Sequence, residues 1–386
     1  MKKEEILKLA KENLPYAVSA RKRLHEYPEV GNHEFRTTEF LVNELEKLGY
    51  EVLRPLETGA VAVLKIGEGK TVAVRADIDA LPVTEETELP FSSKNPGFMH
   101  ACGHDVHTAS LLAAAKAISE NKDNFHGTAK FIFQPDEEGS GGADRLIQAG
   151  IFENPKVDAV FGIHVLPELP AGTVAVRYGK SYASSDVFEI KIIGKSTHGA
   201  QPENGKNPIS CASEIALSLE SLVGRTIAPT QSAVLSVCTF RSGTACNIIP
   251  PYAELSGTIR TLDPETRVLM KKKLCHVCES IAESRECKAE VTLHESYPSV
   301  INHDRETETV YNTAKEYFPA EKVLLLRTPT MTTEDFGYYL QNAPGCFYHI
   351  GAGSEYPLHN SRFVPDEKAI EAALCMHLAV INEYLG

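Results

Sequence analysis

The hydrophobic pattern of the chain changes its period near residue 186, and this change limits the possible folds more than any other feature. Before it, short β-rich runs alternate with helical runs, which predicts an α/β core with a mixed or parallel sheet. After it, residues 187–193 alternate with a period of two, as in a half-buried strand. The chain therefore combines two patterns, and its length of 386 residues is enough for two domains.

The second pattern predicts the element order β-α-β-β-α-β, which is that of a ferredoxin-like unit. Its elements are a strand at 187–193, a helix at 207–223, strands at 232–241 and 252–261, a helix at 264–284 and a strand at 289–294. The first pattern predicts strands at 60–66, 71–76, 129–133, 159–164, 173–176 and 344–350, with helices within 4–48 and at 105–120, 140–150, 304–317 and 366–386. We therefore expect a small domain, residues 186–295, inserted into a larger domain made of residues 1–185 and 296–386.

Composition and charge exclude several classes of function. Lys and Arg number 39 against 52 Asp and Glu, and a surface with a formal charge of −13 repels phosphate backbones and anionic lipids. Nucleic acid and membranes are therefore not expected partners. No stretch has the ~18 apolar residues of a membrane span, and the N-terminus lacks the apolar core of a signal peptide, so the expected location is cytoplasmic. Nine scattered cysteines fit reduced thiols better than a disulfide framework.

Five segments concentrate His, Cys, Asp and Glu beside Gly or Pro, each at a predicted strand end or helix start. They are RADIDALP (75–82), HACGHDVH (100–107), QPDEEGSGG (134–142), GIH (162–164) and HN (359–360). Ligands of open α/β sheets bind at such strand ends. The segments therefore indicate one site built from distant parts of the chain.

The donor atoms of these segments predict a metal centre. Cys102, His104, Glu138, His164 and His359 offer a thiolate, three imidazoles and a carboxylate. Five donors exceed the need of one tetrahedral ion but suit two divalent ions about 3.5–4 Å apart that share a water. A thiolate favours zinc, while the other donors also accept manganese, cobalt or nickel.

Two further carboxylates have expected roles beside the metals. Glu137 adjoins Glu138, which allows one carboxylate to bind metal while its neighbour faces the attacking water as general base. Asp79 is then a candidate to orient a metal-bound imidazole and to raise its basicity. His107 lies one turn beyond His104, so a supporting or packing role is as plausible for it as metal binding.

Several more polar runs have simpler interpretations. Glu85, Glu86 and Glu88 are expected in a solvated loop, and the glycines of 139–143 in a turn that positions Glu138, because the run lacks the end of a phosphate loop. A zinc knuckle has little support, since there is no second CxxC pair; its residues would be Cys275, His276, Cys278 and Cys287. The chain has no GxSxG motif, which argues against an α/β-hydrolase triad.

The inserted segment has polar residues of its own in KSTHGAQP (195–202), CNIIP (246–250) and GTIRT (257–261). Arg260 could be an exposed edge charge or the bidentate partner of a substrate carboxylate. His198 could donate a hydrogen bond to an oxyanion.

Taken together, the motifs resemble the amidohydrolase subfamily of metallopeptidase family twenty, which includes hippurate hydrolases, indoleacetyl-amino-acid hydrolases and N-acetyl-amino-acid deacetylases. The resemblance runs from about residue 15 to the last helix and rests on RLHEYPEVG, RADIDALP, MHACGHDVHTA, FQPDEEGSGGA, GIHVLPELPAGT, STHGAQP, NIIP with GTIRT, TEDFGYY and LHNSRF.

The resemblance implies a phosphorylase/hydrolase-like α/β catalytic domain with an inserted ferredoxin-like lid or dimerisation domain. It implies a di-metal site at the five donors above, with Glu137 as base and Asp79 as auxiliary carboxylate. It also implies that His198 stabilises the transition state, often across a dimer interface, and that Arg260 with Asn247 grips a carboxylate. Asp136 departs from the small residue expected there, and its charge could raise the pKa of Glu137.

The expected reaction is metal-dependent hydrolysis of N-acyl amino acids to a carboxylic acid and a free amino acid. A dipeptidase or carboxypeptidase with the same di-metal site is the alternative, and Glu334 or Asp335 would then bind the substrate amine. The third and least favoured hypothesis is a non-catalytic binding protein that kept the fold. Residues that could line the acyl pocket are Ser181, Tyr182, Phe336 and Tyr338. A homodimer through the inserted domain and a monomer are both compatible with the sequence.

Overall fold

The computed structural model describes all residues, Met1–Gly386. The helices are α1 (Lys3–Glu26), α2 (Phe35–Lys47), α3 (His104–Glu120), α4 (Gly142–Gln148), α5 (Pro208–Thr226), α6 (Pro264–Ser284), α7 (Asp304–Tyr317), α8 (Gly337–Leu340) and α9 (Glu367–Leu385). The strands are β1 (Glu51–Leu53), β2 (Ala60–Lys65), β3 (Thr71–Asp77), β4 (Thr128–Gln134), β5 (Ala159–Leu166), β6 (Val174–Val176), β7 (Gly179–Tyr182), β8 (Ser184–Ile193), β9 (Thr197–His198), β10 (Ala233–Ser242), β11 (Ile248–Ile249), β12 (Tyr252–Thr261), β13 (Lys288–Glu295), β14 (Val300–Asn302), β15 (Val323–Leu325) and β16 (Gly345–Gly351).

The chain divides into two compact units. The first unit contains Met1–Gly179, Ile301–Thr328 and Asp335–Gly386, and the second contains Lys180–Val300 with Pro329–Glu334. The chain passes from the first unit to the second after Gly179 and back after Val300, so the second unit extends a few residues beyond the expected segment 186–295 at both ends. The short return of residues 329–334 to the second unit has no counterpart in the sequence pattern.

The first unit is built around an eight-stranded mixed sheet with the order β1-β2-β4-β3-β5-β16-β6-β15. At its centre β4, β3 and β5 run parallel, and every residue of β3 and β4 is buried. Strands covered on both faces are rich in apolar residues, as β3 and β4 are, although each also buries a basic residue, Arg75 or Lys130. Helices α1, α3 and α9 pack together, and α3 buries Val106, Leu111, Leu112 and Ile118 completely.

The second unit is a four-stranded antiparallel sheet with the order β10-β12-β8-β13. Burial alternates along β8 and β12 because α5 and α6 pack on one face of the sheet. Each helix begins with an Asx cap followed by proline: Asn207 accepts from the N–H of Ile209, and Asp263 accepts from the N–H of Glu265. The chain order β8-α5-β10-β12-α6-β13 is that of a ferredoxin-like unit.

The predicted fold class is confirmed, with a mixed rather than an all-parallel sheet. The segment 4–48 forms two helices, α1 and α2. The sequence pattern predicted β6 but missed the other strands of two to four residues, such as β1 and β15, because so short a run carries no measurable period. No helix combines the length and the apolar character needed to cross a bilayer.

Candidate active site

Three neighbouring parallel strands bring polar residues to the same edge of the large sheet. Asp77 ends β3, Asp79 follows two residues later, Glu137 and Glu138 follow β4, and His164 lies in β5. The carboxyl ends of parallel strands are the usual place of binding sites in α/β sheets. The strand order therefore gathers three of the five predicted segments.

The start of α3 adds Cys102 and His104. Gly103 lies between them with φ +86°, and a Cβ on this residue would overlap the Val165 side chain. Only glycine tolerates both the left-handed conformation and this close approach without strain. The tight turn lets the side chains on both sides of Gly103 reach the same cluster.

All five predicted metal donors come together. Within each of the groups Cys102–His104–His164 and Cys102–Glu138–His359, the candidate ligand atoms lie within 4.8 Å of one another. The Cys102 Sγ is 3.4 Å from the His164 Nε2, and the His359 Nε2 is 3.0 Å from the Glu138 Oε1. Since Cys102 belongs to both groups, the five residues form one cluster, with His359 at its more exposed end.

The orientation of two imidazoles suits cation binding. The His164 Nδ1 donates to the carbonyl oxygen of Val165 (2.7 Å), and the His104 Nδ1 faces the Asp79 carbonyl and carboxylate oxygens at 2.9 and 3.1 Å. With hydrogen on Nδ1, each ring has its lone pair on Nε2. The His104 Nε2 is buried without any hydrogen-bonding partner. An orphaned acceptor among sulfur, nitrogen and carboxylate donors fits a thiophilic or borderline divalent metal.

The charges around the cluster shift the pKa values of its candidate ligands when no metal is bound. Burial, together with the carboxylates of Glu138 and Glu137, raises the pKa of Cys102 well above its usual range. Burial would lower the pKa of His104, but the carboxylates of Asp77 and Asp79 outweigh it and raise the pKa to about 10. Binding of divalent cations would therefore displace protons from these ligands.

Glu137 and Asp79 lie beside the candidate metal ligands. Glu137 is 6% exposed, and its carboxylate oxygen is within 4.8 Å of candidate ligand atoms of His104 and Glu138. Asp79 contacts His104 through Oδ1 and accepts from the backbone N–H of Glu138 through Oδ2 (3.0 Å). One carboxylate thus holds two of the five donor residues.

The contacts of His107 favour a supporting role over metal binding, although its ligand atom lies within 4.8 Å of those of Asp77 and His104. Its Nδ1 is 2.6 Å from the Asp77 Oδ1, and its Nε2 accepts from the backbone N–H of Val165 at 3.0 Å. Because both ring nitrogens have protein partners, metal binding by His107 is not favoured. The contact to Val165 links His107 to the residue that follows His164.

A buried ion network beneath the cluster has no counterpart among the sequence predictions. Arg75, which is 0% exposed, donates to Asp77 (2.7 Å), to Gln134 (2.8 Å) and to Asp335 (2.9 Å). Asp335 also accepts from Gln134 Nε2 and from the N–H of Ala143. A charged residue within the predicted buried strand 71–76 was the available signal, because buried arginine requires partners.

This network corrects the expectations for the TEDF segment. The carboxylate oxygens of Asp335 are occupied by Arg75, Gln134 and Ala143, so Asp335 is not available to a substrate amine. Phe336 is 0% exposed and its ring packs against Phe347 with centroids 4.9 Å apart, so it belongs to the core and not to an acyl pocket. Three other residues with expected substrate contacts belong to the second unit and have buried side chains: Glu334, Ser181 and Tyr182.

The acidic stretch at 85–88 is exposed at Glu86 and Glu88, as expected, but the side chain of Glu85 is buried and the stretch is tied to distant segments. The Glu85 side chain is 5% exposed and lies 3.2 Å from the His25 Nε2. Glu86 accepts from the Ser361 hydroxyl at 2.8 Å, two residues after His359. The sequence could not distinguish this loop from a solvated one, because its partners are distant along the chain.

Contacts also decide the zinc-knuckle hypothesis and the role of the glycine run. Cys275 and Cys278 lie on α6, and neither joins a group of three ligand atoms close enough to hold a metal, which removes the zinc-knuckle interpretation. The glycine run at 139–143 is a turn, as expected, only in its first part, because Gly142 and Ala143 begin α4; a Cβ at Gly142 would overlap the Pro135 carbonyl oxygen. The Asp136 carboxylate faces Asn32, Ser140 and Arg145.

The three predicted substrate-binding residues belong to the second unit. His198 is exposed on β9, which pairs with β11, and its Nδ1 accepts from the N–H of Ala200. Asn247 is exposed just before β11. Arg260 is half-buried near the end of β12, opposite Ser185 of β8 and Val234 of β10.

Comparisons with known proteins agree with this arrangement. The family model described as peptidase family M20/M25/M40 matches residues 73–383. N-acetyl-L-cysteine deacetylase of Bacillus subtilis (strain 168) is 39% identical over 377 residues, covering 95% of this chain and 89% of that protein. Hippurate hydrolase of Campylobacter jejuni is 38% identical over 367 residues, covering 95% of both proteins. The crystal structure of the Bacillus subtilis YXEP protein, described as a dinuclear metal-binding peptidase from the M20 family, has a TM-score of 0.84 and 35% identity, covering 96% of this chain and 98% of that chain.

Proposed function

The chain belongs to peptidase family M20/M25/M40, and from that premise we propose that it hydrolyses the amide bond of N-acyl amino acids, releasing a carboxylic acid and a free amino acid. The two relatives described above are named for this class of reaction, a deacetylase and a hippurate hydrolase. The observation that carries the proposal is the cluster of five candidate metal donors with the buried carboxylate of Glu137 beside it.

Cys102, His104, Glu138, His164 and His359 would hold two divalent ions, with zinc or manganese as the proposed metals and cobalt or nickel as further candidates. When bound, such ions activate a water and polarise the substrate carbonyl. Asp79 fixes the ring orientation of His104 and the backbone of Glu138, so the ligand set is organised before any ion binds.

Glu137 is the proposed general base. Its carboxylate lies beside His104 and Glu138, where it can take a proton from the attacking water and pass it to the leaving amine. Because the site is buried, the carboxylate acts away from competing bulk water.

The second unit supplies the proposed substrate contacts. Arg260 with Asn247 would bind the free carboxylate of the substrate, since a guanidinium matches a carboxylate bidentately. His198 would donate a hydrogen bond to the developing oxyanion, from the same chain or from a second copy. A homodimer would form through the second unit, where the edge strand β10 exposes Val234 and Phe240. The cytoplasmic location stays a prediction.

The test is the release of amino acids from a panel of N-acetyl, N-succinyl, N-benzoyl and indoleacetyl amino acids. Metal-stripped protein would be assayed alone and with added Mn²⁺ or Zn²⁺, with dipeptides as a parallel panel. We expect metal-dependent release from one acyl class. Metal-dependent cleavage of dipeptides alone would replace the proposal by a dipeptidase, and no release from either panel with metal bound would refute hydrolysis.

A further inference from the structure

The backbone on both sides of Glu137 is held by buried carboxylates. The N–H of Asp136 donates to the Glu34 Oε1 at 2.9 Å, and the N–H of Glu138 donates to the Asp79 Oδ2 at 3.0 Å. Asp79 has a proposed role in the site, whereas Glu34 has none. The residue before the base is therefore fixed in the same way as the residue after it.

The Glu34 side chain contacts the loop that follows β4 and does not cap its own helix, α2. Glu34 is the N-cap residue of α2, yet its side chain makes no capping hydrogen bond. Glu29 performs that task instead, accepting from the N–H groups of Arg36 (3.1 Å) and Thr37 (2.8 Å). The Glu34 side chain, which is 0% exposed, is directed to the segment that follows β4.

The backbone that Glu34 holds is strained. Asp136 has φ +55°, in the left-handed region that non-glycine residues avoid. Its carboxylate accepts from Asn32 Nδ2 (2.7 Å), from the N–H and hydroxyl of Ser140, and from Arg145 (3.1 Å). A conformation of this kind persists only where the surroundings fix it, and such strain is concentrated at functional sites.

The burial of Glu34 is itself costly. A fully buried carboxylate loses its hydration, and a second one nearby repels it. Burial, with the negative charge of Asp79 adding to it, raises the pKa of Glu34 to about 7. An apolar side chain would avoid this cost but would leave the N–H of Asp136 without its acceptor, so the contact with the loop, and not the packing of the core, accounts for a glutamate here.

We propose that Glu34 is a positioning residue for the base: by holding the peptide N–H of Asp136, it sets the backbone that carries the Glu137 carboxylate, as the counterpart of Asp79. This inference rests on the proposed role of Glu137 as base. Glu34 is assigned no contact with the metals or the substrate, so its effect acts through the loop.

The first test is amide hydrogen exchange of the metal-free protein, which needs no activity. The variants are Glu34→Met, which keeps the volume and removes the acceptor, and Glu34→Gln, which keeps an acceptor oxygen. Glu29→Met is the matched control, because it makes the same change at the start of the same helix. We expect exchange at residue 136 to rise at least tenfold in Glu34→Met and to remain close to wild type in Glu34→Gln. In Glu29→Met the rise should be confined to Arg36 and Thr37.

The second test is steady-state kinetics of the metal-loaded variants on the best substrate. A displaced base lowers kcat by roughly 10- to 100-fold in Glu34→Met, with KM within about twofold, and Glu34→Gln restores most of kcat. Glu29→Met should keep the wild-type kcat even where its melting temperature falls.

Three results would overturn the proposal: wild-type kcat in a folded Glu34→Met, equal losses in Glu34→Met and Glu34→Gln, or an unprotected Asp136 amide in the wild type. If Glu34→Met does not fold, the wild-type exchange and the Glu34→Gln kinetics still decide. If the wild type hydrolyses none of the substrates, the proposed function is refuted. The exchange test still decides the role of Glu34 in holding the loop, because it does not depend on activity.

Discussion

Most candidate ligands of the first unit and its candidate base are buried, with His359 as the exposed exception, whereas the candidate substrate residues of the second unit lie at or near its surface. His104, Cys102, Glu137 and His164 are 1–7% exposed, and hydrogen bonds donated to Asp79 and Val165 fix two of the imidazoles. His198 and Asn247 are exposed, and Arg260 is half-buried. The imidazoles of His104 and His164 are held in place before any ligand arrives, whereas His198 and Asn247 are open to solvent. The two regions should therefore respond differently to substitution.

The largest expected effect belongs to the buried region. Glu137→Gln removes the proton acceptor without changing the size of the side chain, so kcat should fall by roughly 10²- to 10⁴-fold. Bound metal, measured by elemental analysis, should stay at the wild-type level. Glu12→Gln, an exposed change on α1, serves as control. Retained activity in Glu137→Gln would remove this residue as base.

A smaller effect, on KM, is expected from the second unit. Arg260→Ala removes a charged hydrogen-bonding partner worth about 1.5–3 kcal/mol, so KM should rise roughly 10- to 100-fold for substrates with a free carboxylate. Substrates whose carboxylate is an amide should be affected little, and kcat should change less than KM. Arg241→Ala, on the neighbouring strand β10, is the control. Equal losses for acid and amide substrates would contradict carboxylate binding.

The last effect concerns the dependence of stability on pH and does not involve activity. His25 is buried with Nδ1 2.9 Å from Asp105 and Nε2 3.2 Å from Glu85; burial opposes its charged form, but these two hydrogen bonds outweigh burial and raise its pKa to about 9. A folded pKa above the unfolded value of about 6.5 stabilises the fold fully below pH 6.5, and that stabilisation is lost as pH rises to about 9.

The shift corresponds to at most about 3 kcal/mol in the free energy of unfolding. Denaturant unfolding between pH 6 and 10 should show this loss, and His25→Gln should flatten it in that range. His276→Gln, an exposed change on α6 of the second unit, should leave the pH dependence unchanged. A His25→Gln profile parallel to that of the wild type would show that His25 is not charged in the folded state.

The sequence predicted the donors of the site because their residue types and neighbours are unusual together. Cys102, His104 and Glu138 stand beside glycines at predicted element ends, and the family resemblance that these motifs indicated is confirmed. The fold followed from periods of apolar residues long enough to measure, as in β8 and α5.

The supporting contacts could not be predicted in this way. Glu34 reaches the backbone of Asp136 across 102 positions, and Arg75 reaches Asp335 across 260. A hydrogen bond to a backbone N–H leaves no mark on the identity of the donor residue. A buried ion pair between distant segments likewise becomes visible only once the fold brings the segments together.

The most direct test of the central claim is a titration of metal-stripped protein with Mn²⁺ or Zn²⁺, following bound ions per chain and hydrolysis of the best N-acyl amino acid together. We expect no activity without metal and a rise that is complete at two ions per chain. Cys102→Ser should need more metal to reach the same occupancy, because it replaces the thiolate by a weaker donor. Full activity in the stripped protein, or a plateau at one ion per chain, would contradict a two-metal amidohydrolase.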